Sequence, residues 1–172
     1  MNRRLLLPHA ILFLLLMTST AFGQSAAAPE NGRVILTVTA ESGQPLKLTS
    51  TDFAKLPRHT VHAKDHDGKD VTFEGVEVAE VLKLANVQFG EQMRGKAMAL
   101  YLVAGAIDDY HAVFALSEFD HGFTDRIIII ADRRNGQPLS EKEGPLRIVA
   151  PDEKREARWV RQLNSLTIRR AS

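Results

Sequence analysis

Hydrophobic and polar positions alternate along short stretches of this chain, with turn residues between the stretches. Over residues 33–39 the alternation matches the two-residue period of a β-strand. The four consecutive isoleucines at 127–130 form too short and too β-branched a run for a helix, so they predict a central strand. The pair Asp67-Gly68 is typical of a hairpin turn. Further strands are predicted at residues 46–48, 59–64, 70–73, 97–103, 110–116, 146–149 and 163–168.

Helical patterns are few and short. One helix is predicted to begin at the capping residues 49–52 and to end before Pro57. A second is predicted over residues 76–84, where Val78 and Leu82 lie on one helical face. Because strands dominate and do not alternate regularly with helices, we predict an α+β fold with a mixed, sheet-rich single domain. The 172 residues of the chain give room for one domain of ordinary size.

The start of the chain predicts a secretory signal peptide. Two arginines, an apolar stretch and the small residues Ala21 and Gly23 form its three parts, so we expect cleavage to remove residues 1–23. The apolar stretch is shorter than the about 20 residues that span a bilayer, which makes an uncleaved anchor the weaker alternative. Small and polar residues predict a flexible leader at 24–32, followed by the domain at 33–170. We therefore expect a periplasmic or secreted protein without a membrane association after cleavage.

Composition narrows the available chemistry. The chain has no cysteine, which excludes disulfides, thiolate metal ligands, cysteine nucleophiles and iron–sulfur clusters. The formal net charge of +1 gives no indication of nucleic-acid binding. Neither a GxSxG nucleophile motif nor a phosphate-binding glycine loop is present in the sequence.

Residues that can ligate metals gather in the predicted hairpin. His62, Asp65 and His66 follow His59 within one strand and its turn. Imidazole groups suit zinc and copper, but His59 and His62 are three residues apart, and a strand sends such positions to opposite faces. A shared site would require the turn to bring His66 back toward His62. The simpler interpretation is a set of solvent-facing histidines, and we predict no metal site.

Three sequence motifs occur in the order that is found in one known family. They are ESGQPLKLTSTDFAKLP, DGKDVTFEGVEVAEVLKLANV and GPLRIVAPDEKREARWVRQLNSLTI. The last is the most specific, and its matching residues are Gly144, Pro145, Arg147, Pro151, Arg158, Trp159 and Val160. This succession resembles the molybdopterin-binding domain of the sulfite oxidase family over about residues 34–168. It looks most like the short, exported, stand-alone members.

The resemblance implies a mixed α+β fold that binds molybdenum through a pterin dithiolene and a cysteine thiolate of the protein. That cysteine would lie in the stretch RHTVHAKDHDGKDVTFEGV, which contains none. The chain also departs from the family at Glu153-Lys154, where many members have Gly-Tyr. Molybdopterin is thus the cofactor that the resemblance suggests, while ligation of molybdenum by cysteine is not possible.

The resemblance also suggests residues that could bind a cofactor. Tyr110 and His111 follow two aspartates, where family members have a similar acidic-Gly-Tyr segment near the active site. Arg155 and Arg158 stand where the family has basic residues that bind the cofactor's anionic tail, and guanidinium groups suit that task. The alternative for Tyr110 and His111 is a turn rich in acids, followed by a strand whose tyrosine packs at the edge. The alternative for Arg155 and Arg158 is a surface ion-pair network. Trp159 is most simply a core residue. The full candidate set is His62, Asp65, His66, Tyr110, His111, Arg155, Arg158 and Trp159.

Two functions are compatible with the sequence. The first is a binding module for a pterin, for another anionic ligand or for a periplasmic protein partner, without cysteine-ligated molybdenum chemistry. The second is a molybdopterin-dependent oxidoreductase with other metal ligands, drawn from His62, Asp65 and His66. A small metal-binding protein that uses the histidine hairpin is a weaker third hypothesis. A fold by itself does not determine function, so the resemblance alone does not indicate an enzyme. The missing cysteine favours the binding module.

Overall fold

A computed structural model describes residues 32–65 and 67–172 of the chain. The predicted signal peptide, residues 24–31 of the predicted leader and His66 lie outside the described residues. None of the helices in the described part has the length and apolar character that a bilayer crossing requires.

Short strands and short helices follow one another along the chain. The strands are β1 (Val34–Thr39), β2 (Leu46–Thr49), β3 (His59–Lys64), β4 (Asp70–Glu77), β5 (Leu100–Ala106), β6 (His111–Ala115), β7 (Ile129–Arg134), β8 (Gln137–Pro138), β9 (Arg147–Val149) and β10 (Leu163–Arg170). The α-helices are α1 (Ser50–Ala54) and α2 (Val78–Leu84), and single 3₁₀ turns occur at Gly90–Gln92, Gly95–Ala99, Leu116–Phe119 and Glu156–Arg158. Helix α1 begins where the sequence places it, because Thr49 and Asp52 cap it reciprocally.

The strands form two sheets around a shared core. The first sheet has the order β2-β1-β10-β5-β6, and the second has the order β3-β4-β7-β8, with β9 also paired to β7. Strands β1 and β10 run parallel, while their other neighbours are antiparallel, so the first sheet is mixed. Buried side chains of both sheets, such as Leu36, Phe114 and Ile130, belong to one hydrophobic cluster. The prediction of a mixed, sheet-rich α+β fold is confirmed.

Some element boundaries differ from the predicted ones because tertiary pairing decides them. The strand predicted at 127–130 begins only at Ile129, where β7 pairs with Glu77 of β4. Strand β4 continues past its predicted end at Phe73, since Gly75 lets it approach β7 closely. A Cβ atom on Gly75 would lie 2.0 Å from the carbonyl oxygen of Ile130. The second helix accordingly begins at Val78, two residues later than the pattern suggests.

Candidate functional site

The loop between β9 and β10 carries three of the candidate residues, and one of them belongs to the core. The side chain of Trp159 is buried, and its Nε1 donates a hydrogen bond of 3.0 Å to the carbonyl oxygen of Ala150. Its ring meets the Phe73 ring edge-on, with 5.9 Å between the centroids. Trp159 therefore anchors the loop to the sheets.

Arg158 is held in a network with Arg126 and two glutamates, and Arg126 also lies 3.7 Å from Asp152. Its two terminal nitrogens donate to the Glu118 carboxylate at 3.1 and 3.0 Å, and it also pairs with Glu153. Arg126 contacts the same two glutamates, at 3.0 Å from Glu118 and 3.4 Å from Glu153. The Arg158 guanidinium lies 4.4 Å from the centroid of the Phe114 ring. Each cation of this network is thus already paired with anions of the protein.

Burial and ion pairing shift the pKa values of Glu118 and Arg158 in opposite directions. Burial by itself raises the pKa of Glu118, but hydrogen bonds from Arg158 and from the Ala115 backbone, with the nearby charges of Arg158 and Arg126, lower it below its ordinary value. Burial likewise lowers the pKa of Arg158, and the hydrogen bonds to Glu118 and Glu153 raise it above its ordinary value. Glu118 and Arg158 are therefore both charged at neutral pH.

A second charge network runs through the interior behind the loop. Arg147 of β9 is almost fully buried, at 1% exposure, and pairs with Glu143 and Glu156. Its guanidinium lies 5.3 Å from the Phe73 ring centroid and 5.2 Å from that of Trp159. The network alternates in sign along Asp65, Arg134, Glu143, Arg147, Glu156 and Arg161. Arg147 was not among the candidate site residues, although a lone arginine within the apolar segment 146–150 is a signal that could have marked it.

The two candidate residues of the β3–β4 hairpin that the structure describes, His62 and Asp65, have separate contacts. The Asp65 carboxylate pairs with Arg134, whose pKa is lowered by burial and raised more strongly by Asp65 and Glu143. His62 is exposed, with its Nδ1 3.3 Å from the hydroxyl oxygen of Thr72. Within residues 32–65 and 67–172, no three His, Asp or Glu side chains are placed to hold a metal ion.

Tyr110 and His111 lie on different parts of the surface. The Tyr110 hydroxyl donates to the carbonyl oxygen of Ala157, which places Tyr110 against the loop of Arg155 and Arg158. His111 instead lines a cavity of about 470 Å³ on the face of the first sheet that points away from the core. The structure therefore brings Tyr110 to the basic loop, whereas His111 lines the outward cavity, His62 contacts Thr72 and Asp65 pairs with Arg134.

Sequence reasoning missed one further cluster of polar side chains. Glu77 is buried at the junction of β4 and α2, and its Oε1 lies 2.7 Å from Nε2 of His121. Nε2 of His59 lies 3.8 Å from the other oxygen of the same carboxylate. The sequence grouped His59 with His62, whereas the structure directs it to Glu77. No local pattern could have indicated His121, because it comes from a distant loop.

Comparison with known proteins identifies the family. The sequence-family model of the oxidoreductase molybdopterin-binding domain matches residues 26–172. The chain belongs to this family. Among solved structures, the sulfane dehydrogenase SoxCD of Paracoccus pantotrophus is similar, with a TM-score of 0.63 and 18% identity over 83% of this chain and 39% of that one. At this identity the likeness shows the fold alone, and the chain spans well under half the length of that protein. No curated protein matches the chain.

Family membership implies molybdopterin as a possible cofactor, but the described residues do not fit a cofactor held in the family's way. The sequence contains no cysteine to ligate the metal. Arg158, which the resemblance assigns to the anionic tail, is paired with Glu118 and Glu153. A dianionic tail would have to displace these carboxylates, and like charges so close together repel one another.

Proposed function

We propose that this chain is a binding module built on the molybdopterin-binding fold, and that it performs no redox chemistry at a cysteine-ligated molybdenum. The observation that carries the proposal is the lack of any cysteine in the sequence. The carboxylates around Arg158 support it, since they neutralise the group that would hold the cofactor's tail. In this proposal the protein acts by binding a ligand or a partner and not by electron transfer.

Arg155 is the candidate cation to which a ligand has access. Its side chain is exposed beside the exposed Lys154, outside both charge networks described above. An exposed guanidinium suits a small anion or an acidic group of a protein partner, because its planar donors match carboxylate and phosphate oxygens. We propose this pair as the contact for an anionic ligand, which could be a pterin, or for a periplasmic partner. The proposal includes export of the protein through its predicted signal peptide.

The second candidate function is a molybdopterin-dependent oxidoreductase with other metal ligands. The match of the family model to most of the chain favours it. Asp65 is the carboxylate ligand that this function would use together with His62 and His66. A metal would then compete with Arg134 for the Asp65 carboxylate, which counts against this hypothesis.

The two functions differ in what the purified protein contains. The full chain, with its own signal peptide, would be expressed in a host that makes molybdopterin, and molybdenum and oxidised-pterin fluorescence would be measured per mole of protein. We expect far less than one molybdenum per chain. Near-stoichiometric molybdenum and pterin together would overturn the proposal and direct attention to His62 and Asp65.

The same preparation tests the binding contact. Pterin without metal would support the binding module with a pterin as its ligand, and Arg155→Gln should then reduce the bound pterin. Arg133→Gln is the matched control, because Arg133 is an exposed arginine of β7 far along the chain from the loop. An equal loss of pterin from both variants would argue against Arg155 as the contact.

A further inference from the structure

The first sheet is open at one end, between β1 and β10. These strands pair only from Thr37↔Ser165 to Thr39↔Thr167, so residues 34–36 precede the paired part of β1. Two cavities lie at this end of the sheet, and both are lined by Val34, Ile35 and Asn164. Because they share these walls, the two cavities adjoin each other.

The first cavity is polar and lies on the outward face of the sheet. The strand registers place Thr37, Ser165, Gly105 and His111 in one row across four strands. Gly105 has no side chain, and a Cβ there would lie 2.5 Å from the Ser165 hydroxyl oxygen and 3.3 Å from Nε2 of His111. The hydroxyl and the imidazole therefore close over the glycine, and both groups line the cavity beside it. The cavity has a volume of about 470 Å³, and Asp109 completes its polar lining.

The second cavity is mainly apolar, although Arg33, Asp132 and Glu141 also line it. It has a volume of about 500 Å³, and its walls include the buried side chains of Phe53, Leu146 and Leu163. Two further lining residues are exposed hydrophobics, since Val34 is 43% and Ile107 61% exposed. Cavities of about 300–1,000 Å³ with an apolar lining and a few fixed polar groups are typical of small-molecule sites.

We propose that these adjoining cavities bind an uncharged amphipathic molecule, with its apolar body in the second cavity and a hydroxyl-bearing head in the first. The head would contact the hydroxyls of Thr37 and Ser165, the Asn164 amide and the His111 imidazole. Each of these groups can donate and accept hydrogen bonds. The polar cavity contains the Asp109 carboxylate and neither lysine nor arginine, which disfavours an anionic head. The site shares only His111 with the candidate cofactor residues, so the proposal is independent of the molybdenum measurement.

Octyl β-glucoside, kept below its micelle concentration, is a suitable probe of this chemistry. Titration into the ¹⁵N-labelled exported protein should give saturable amide shifts centred on Gly105, Ile107 and His111. Glucose alone and octyl sulfate should each bind at least about tenfold more weakly, because the first lacks the apolar body and the second has an anionic head. Equal binding of octyl sulfate, or shifts centred on another surface, would overturn the proposal.

Substitutions on each side of the site test both halves. Ile107→Asp should weaken binding of the glucoside about tenfold or more, since it places a charge where the apolar body lies. Leu84→Asp is the matched control, because Leu84 of α2 is 47% exposed and lines neither cavity. Gly105→Ala would displace the Ser165 hydroxyl and crowd the His111 ring, and should weaken the glucoside as well. Unchanged binding in both test variants, with their circular dichroism preserved, would refute the site; if Ile107→Asp fails to fold, Val34→Ser tests the same lining.

Discussion

Replacement of Arg147 by methionine should destabilise the protein strongly, because it leaves the buried Glu143 and the partly buried Glu156 without their main cation. Arg147 is 1% exposed and pairs with both Glu143 and Glu156. Removing one partner of a buried ion pair costs about 3–5 kcal/mol, since the remaining charge stays desolvated. The guanidinium also contacts the faces of Phe73 and Trp159, and methionine would lose the electrostatic part of these contacts.

Three features place the expected cost near the lower end of that range. Glu143 keeps Arg134 at 3.4 Å, and Glu156 keeps Arg161 at 3.8 Å. The Nε of Arg147 and the Oε1 of Glu156 are buried without a hydrogen-bond partner, so the native arrangement already carries a desolvation penalty. We expect a loss of about 3 kcal/mol in the free energy of unfolding. This corresponds to a fall in Tm of roughly 10 °C for a domain of this size.

Urea unfolding followed by far-UV circular dichroism measures this loss, with the fluorescence of Trp159, the single tryptophan, as a second probe. The triple variant Arg147→Met, Glu143→Gln, Glu156→Gln is the matched control. It removes Arg147 together with both of its anionic partners and leaves Arg134 paired with Asp65. It should recover much of the stability, because no carboxylate is then left without the Arg147 cation. A loss below about 1 kcal/mol in the single variant, or no recovery in the triple variant, would refute the reasoning.

Two further predictions concern the Glu118 network and the close approach of β4 to β7. The pKa of Glu118 in the folded state is lowered from 4.5, so its stabilising effect is complete above about pH 4.5 and is lost as the pH falls through the folded-state value. The difference in unfolding free energy between the wild type and Glu118→Gln should therefore be largest at neutral pH and shrink below pH 4.5; a difference independent of pH would contradict this account. Gly75→Ala should cost about 3 kcal/mol or more in a urea titration, because its Cβ would overlap the Ile130 carbonyl, whereas Gly32→Ala meets nothing within 4 Å and should be neutral. Equal stability of the two alanine variants would show that the strands can separate at low cost.

The fold class followed from local patterns, while the ends of the elements did not. Alternation over residues 33–39 and the capping pair at Thr49 and Asp52 are local properties, and the structure forms β1 and α1 there. Strand β5 begins at Leu100, three residues later than predicted, since Gly95–Ala99 forms a 3₁₀ turn. Strand β5 then continues to Ala106 because it pairs with β10. Pairing partners that are distant in sequence thus decide where strands begin and end.

The candidate site could be predicted only in part, for a related reason. The sequence motif placed Arg158 and Trp159 in one loop, and Tyr110 contacts that loop through Ala157. The same motif could not show that Glu118 and Glu153 would neutralise Arg158, because Glu118 is 40 residues away along the chain. Family resemblance indicates which positions would bind a cofactor, whereas side-chain contacts determine whether the residues at these positions are available to one.

The sequence by itself determined the class of fold, the family and the loss of cysteine-ligated metal chemistry, because each depends on residue identity and local pattern. Only the tertiary structure decided which charges meet. It placed Arg147 between Glu143 and Glu156 in the interior, it gave Arg158 two carboxylates, and it left Arg155 exposed. The physical reason is that Coulomb energy depends on distance and burial. Both quantities arise only when segments far apart in the chain pack together.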